Sequence, residues 1–272
     1  MTQRGFTLVE LLVGSMVMAI LGTALVRMLV GNSRFASQQE AAVSARRAAR
    51  SALNVMAPEL RMADSVIAVS RDSVRLLVPY AFGMACRSTV SPSRTHIALL
   101  PADSLAYASA QVGGLAWRDS TGIYRFVTGI TVTTTGSSLC PQDSIRVVPG
   151  GRTIYVSPMT AAQVGSVLYL YQTVTYKFAA SSMLPGRRGL WRQAGSAGAQ
   201  ELVAPFDTAA SFRCLVGARL VPVNCPPAGG VSAVRGLQLR LVGASDRIPE
   251  GQATPERFEL TTSIPFVNGL QD

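Results

Sequence analysis

The chain has 272 residues and a formal net charge of +10, from 25 Lys plus Arg against 15 Asp plus Glu. Its one histidine and sparse carboxylates form no calcium loop, and no G-x-S-x-G elbow or Gly-rich loop ending in Lys-Ser/Thr occurs, so no catalytic residue, metal site or cofactor is expected. About 200 residues lie beyond the N-terminal apolar and helical stretch, enough for one folded unit, and a single core is expected there rather than two lobes.

The first predicted element is apolar. Phe6 to Val26 is a run of about twenty residues, which as a helix covers ~30 Å, the thickness of a hydrocarbon core. Glu10 interrupts it, at an insertion cost of roughly 2.5–3.5 kcal/mol on translocation scales, so this carboxylate is a functional-site candidate. Arg4 is the only basic residue in front and no A-x-A site follows, which argues against a cleaved secretory signal.

Arg4-Gly5-Phe6-Thr7-Leu8-Val9-Glu10-Leu11-Leu12-Val13 resembles the class III signal of type IV prepilins and type II secretion pseudopilins. The resemblance implies a leader at residues 1–5, cleavage between Gly5 and Phe6 by a prepilin peptidase, N-methylation of Phe6, and an assembly role for Glu10. It further implies a non-enzymatic subunit that joins other minor pilins or pseudopilins through an inner-membrane assembly platform. The protein would cross the inner membrane once, with its C-terminal domain in the periplasm and later at a filament tip or the cell surface. Positive-inside counting points the other way. Arg27, Arg34, Arg46 and Arg47 follow the apolar run, against Arg4 and the terminal amine before it.

The apolar segment is assigned to residues 6–30 and an amphipathic stalk helix to 31–67. On the stalk Ala45, Ala49, Ala52 or Leu53, Met56, Leu60, Ala63 and Ile67 recur at steps of three and four, with Arg47, Arg50, Asn54 and Arg61 opposite. One helix is expected from about Phe6 to Val66, bent at Pro58. Gly14, Gly22 and Gly31 weaken it locally, and Ser15, Ala19 and Thr23 repeat small residues every fourth position, which lets membrane helices approach closely.

From residue 68 to the end, short apolar runs alternate with Gly, Pro, Ser and Asn. Strands are expected at 73–79, 95–101, 129–135, 153–158, 166–178, 235–243 and 257–266. The clearest alternation sets Leu237, Leu239 and Leu241 against Gln238, Arg240 and Val242. The fold class is α+β: a long helix packed on an antiparallel, β-rich domain. Cys86, Cys140, Cys214 and Cys225 are even in number and form no C-x-x-C pair, which favours disulfides outside the cytoplasm over zinc. Three pairings are open. The short Pro-bearing interval from Cys214 to Cys225 points to a locally closed loop, which would leave Cys86 with Cys140; buried free thiols are the other reading.

A second resemblance covers the C-terminal half. VTYKF (174–178), GLWRQ (189–193), ELVAPFDTAASFRC (201–214) and VRGLQLRLVG (234–243), with the stalk segment SALNVMAPELRMADSV (51–66), are similar to the corresponding segments of minor pilins of the W type and pseudopilins of the J type. Pro58 and the long middle from Cys86 to Pro158 depart from that pattern. His96, in a strand-like context, reads as a structural residue. The arginine excess keeps a DNA- or surface-binding adhesin, or a DNA-uptake pilin, as the alternative function, but its clusters at Arg46, Arg47, Arg50 and at Arg187, Arg188, Arg192 are short and lack interleaved aromatics.

Overall fold

A computed structural model describes residues 8–109, 111–135, 140, 145, 147–158 and 160–267. The leader and Phe6 lie outside the described residues.

Helix α1 (Leu8–Met62) is continuous over 55 residues, ~80 Å, through Gly14, Gly22, Gly31 and Pro58. Its buried residues are Ala41, Ala45, Ala48, Ala49, Ala52, Met56 and Leu60, one stripe with helical spacing; from Leu8 to Glu40 no side chain is buried. The stripe is almost all alanine because the helix lies very close to the sheet. A methyl group on Gly243 would run into the Ala45 carbonyl, so only glycine fits beneath the helix there. The C-terminal end differs from expectation. The helix stops at Met62, and Val66 and Ile67 belong to β1 (Ser65–Val69). Asp64 N–H donates to Leu77 O, and Val66 pairs with Leu76, so cross-strand pairing claims these β-branched residues from the helix.

Two long strands organise the domain, β2 (Ser73–Thr89) and, later in the chain, a fourteen-residue partner. Between them come β3 (Arg94–Leu99), α2 (Pro101–Ser109), β4 (Gly114–Arg118), β5 (Tyr124–Val127), β6 (Thr131–Thr135) and β7 (Arg152–Ser157). The partner, β8 (Val167–Ala180), is followed by β9 (Arg188–Ala194), β10 (Gln200–Phe206), β11 (Ser211–Val216), β12 (Val221–Asn224), β13 (Val234–Ala244) and β14 (Arg257–Pro265). All pairings are antiparallel, in the order β12-β11-β13-β10-β9-β8-β2-β3-β7-β6, with β1 on β2, β14 on β13, and the β4–β5 hairpin on β8. Each of the seven expected segments contains a strand, although 95–101 ends in the first residue of α2 and 129–135 begins two residues before β6. Helix α2 was not among the expected elements, although Pro101 at its first position and Asp103 in its first turn are start signals. The Asp103 carboxylate accepts Phe82 N–H of β2 at 3.0 Å and ties α2 to the sheet.

The expectation of one core is corrected. β2 and β8 are long enough, at ~56 and ~46 Å, to run through two lobes, and α1 covers only one of them. In the first lobe α1 packs chiefly on β10, β13 and β14, and the cluster continues through the N-terminal half of β2, the C-terminal half of β8, β9 and β11, with Tyr176, Phe178, Phe212 and Leu239 at the centre. In the second, the opposite halves of the same strands join β3, β4 and β7 around Ile97, Leu115, Ile154 and Leu168. A small aromatic cluster of Tyr171, Tyr124, Phe126 and Tyr169 forms a third group beside Leu77 and Ala116.

Candidate functional site

The N-terminal half of α1 carries its apolar side chains in the open. Leu8, Leu12, Met16, Ile20, Leu25 and Leu29 are all exposed, and this is the one described helix long and apolar enough to cross a membrane. Its hydroxyls are satisfied locally: Ser15 Oγ donates to Leu12 O at 2.9 Å, and Thr23 Oγ1 to Ile20 O at 2.8 Å. They therefore carry no unmet donor into hydrocarbon. Glu10 stands in the first turn, exposed, where the positive end of the helix dipole favours a carboxylate. Gly5 and Phe6, the expected cleavage and methylation residues, lie outside the described residues.

At its other end α1 is clamped to the sheet. Glu59 accepts Arg192 Nη2 at 2.7 Å and Nε at 3.2 Å, and the Tyr176 hydroxyl donates to the same carboxylate at 2.6 Å. The two charged side chains are about a quarter exposed, 24% for Arg192 and 28% for Glu59, while Tyr176 is fully buried. Burial pushes the Tyr176 phenol far above its ordinary range, and the Glu59 charge adds to this, so Tyr176 remains a donor at all physiological pH. Burial acts to lower the Arg192 pKa, but the Glu59 hydrogen bond and charge outweigh it and the net shift is upward. The clamp was not expected from sequence. A signal existed: Glu59 follows Met56 by three residues, on the buried stripe, where a carboxylate needs a partner.

Cys214 and Cys225 are joined as a disulfide at the β11–β12 hairpin, and Cys86 on β2 is joined to Cys140, with Cα atoms 5.4 and 5.5 Å apart. His96 on β3 is buried beside Tyr155. Desolvation first, then Arg87 and Arg94, hold its pKa below the ordinary value, so it stays neutral near pH 7 and serves as a core residue. Among the described residues no three His, Cys, Asp or Glu side chains gather in a metal-binding group. Several arginines are engaged internally: Arg188 with Asp72, Arg192 with Glu59, Arg240 with Glu259 and Arg257 with Asp207.

Residues 1–26 match the family model for the prokaryotic N-terminal methylation motif. No curated protein and no solved structure matches the chain. That motif heads an apolar helix seated on an antiparallel β domain, the α+β architecture that the resemblance to type IV pilins and pseudopilins implies.

Proposed function

We propose that the protein is a minor pilin or pseudopilin, a non-enzymatic subunit that helps to start or cap a type IV pilus or a type II secretion pseudopilus. Prepilin peptidase removes residues 1–5 and methylates Phe6; α1 holds the subunit in the inner membrane with its domain in the periplasm, until the assembly platform passes it to other minor subunits. The carrying observation is the apolar run from Leu8 to Val30, in which every residue is exposed. A segment this apolar must be covered by lipid or by neighbouring helices of its kind. Placement at one end of a filament is supported by bulk, because a second lobe added to every repeat would crowd a helical array. The W- or J-type likeness gains support from the clamp: Glu59, Tyr176 and Arg192 come from three of the segments that carry it.

DNA or surface binding is the weaker reading. Of the cluster Arg187, Arg188 and Arg192, two arginines are held by Asp72 and Glu59, which leaves little free charge for phosphate. Deleting the gene and scoring piliation and exoprotein release separately tests the proposal. Loss of one of the two, with the major subunit still made and processed, is expected and also identifies the machine; normal levels of both overturn it.

A further inference from the structure

The second lobe takes no part in holding α1, and it carries a cavity of its own. This cavity, about 550 Å³, lies between the C-terminal end of α2, the segment that leads into β4, and strands β6 and β7. Its volume falls within the ~300–1,000 Å³ of small-molecule sites. Val112, Ile130 and Val132 give it an apolar floor, since all three also pack against the second core. Around that floor stand four polar side chains: Tyr107 on α2, Gln111, Thr134 on β6 and Arg152 on β7.

These polar groups are uncommitted. Arg152 is exposed, and among the described residues no carboxylate pairs with it and none lines the cavity. Asp103, the carboxylate of α2, is buried and already accepts Phe82 N–H. The Gln111 side chain is exposed and makes no hydrogen bond among the described residues. Thr134 Oγ1 donates to the Tyr107 hydroxyl at 3.5 Å, the outer limit of such a bond, which leaves the phenol's own hydrogen available.

The combination selects a ligand chemistry. A guanidinium without an internal partner binds a carboxylate through two parallel N–H bonds. A side-chain amide and two hydroxyls both donate and accept, as the hydroxyls of a sugar do. The apolar floor and the Tyr107 ring fit the C–H face of a sugar ring, whereas a bare inorganic anion would use Arg152 and leave that floor wet. A cationic ligand meets only a positive charge.

We propose that the cavity binds an acidic sugar, a uronic acid residue of a polysaccharide, with its carboxylate on Arg152 and its hydroxyls on Gln111, Thr134 and Tyr107. The site gives the second lobe a binding role in addition to the subunit's part in assembly. It lies in the lobe that α1 does not cover, so it does not depend on the reading that the chain is a filament subunit.

The test titrates the full chain in detergent with trigalacturonate by calorimetry, and with neutral galactotriose at the same ionic strength. Trigalacturonate is expected to bind roughly tenfold or more tightly than galactotriose, and Arg152→Gln to remove that advantage, because a charge-assisted pair is lost. Gln111→Ala should weaken trigalacturonate binding as well. Arg219→Gln, at an exposed position on the β11–β12 turn, controls for unspecific attraction to a chain of charge +10 and should change nothing. Circular dichroism of each variant should match wild type, since every substituted residue is exposed. No binding of trigalacturonate, equal affinity for the two sugars, or equal losses from Arg152→Gln and Arg219→Gln would overturn the site. Equally tight binding of triglutamate would overturn the sugar as its occupant.

Discussion

If residues 1–5 are removed as proposed, the nitrogen of Phe6 changes from an uncharged amide to a cationic amine four residues from Glu10. Processing would then create a counter-charge for a carboxylate whose insertion costs roughly 2.5–3.5 kcal/mol. Two unit charges ~4 Å apart attract by about 4 kcal/mol at an effective dielectric of about 20, enough to offset that cost when Glu10 meets the amine of a neighbouring subunit. Glu10→Gln is therefore expected to insert and to be cleaved as wild type is, yet to lose co-purification with partner pilins. Intact mass reads the first outcome and detergent pull-down the second. Normal co-assembly of the processed Gln variant would remove Glu10 from the register-setting contact. The partners of the Glu59 carboxylate, Arg192 and Tyr176, lie far along the same chain.

At the scale of elements, α1 has two halves with opposite needs. The first must remain free to meet lipid or other helices. The second is fixed by alanines over Gly243 and by the Glu59 clamp, which holds the end of the helix against β8 and β9. Replacing Arg192 by Met leaves the carboxylate part-buried with one donor, and replacing Tyr176 by Phe removes the other. The first change should cost ~1–3 kcal/mol, reduced from the fully buried figure because water reaches the pair, and the second ~0.5–1.5 kcal/mol. Denaturant midpoints of the full chain in detergent should fall accordingly at unchanged slope, and the double variant should show coupling between the sites. Additive losses would mean that the two donors act independently.

On the scale of the whole molecule, two cores share one ribbon, β2 and β8. Local opening of the second lobe is then expected at lower free energy than global unfolding, since α1 packs only on the first lobe. Ile154→Ala removes a fully buried side chain from the second core, at a cost of ~2–5 kcal/mol. Hydrogen exchange should quicken in β3, β6 and β7 while β9 to β13 stay protected. Equal loss of protection in both lobes would show that the ribbon couples them into one cooperative unit.

The sequence by itself determined what depends on near neighbours along the chain. The methylation motif, the apolar span, the alanine stripe and the period-two strands at 73–79 and 235–243 are all local patterns, and each is legible without a fold. Tertiary structure decided what depends on distant partners. The helix stops at Met62 because Val66 finds Leu76 across a turn. Two cores form because β2 meets β8 continuously from Ser73 to Met84, a pairing of strands about a hundred positions apart that periodicity does not encode. Glu59 meets Tyr176 and Arg192 across 117 and 133 positions, so its burial was readable but its partners were not. The physical reason is common to all three: residue pattern sets which face is apolar, whereas long-range pairing sets which faces meet.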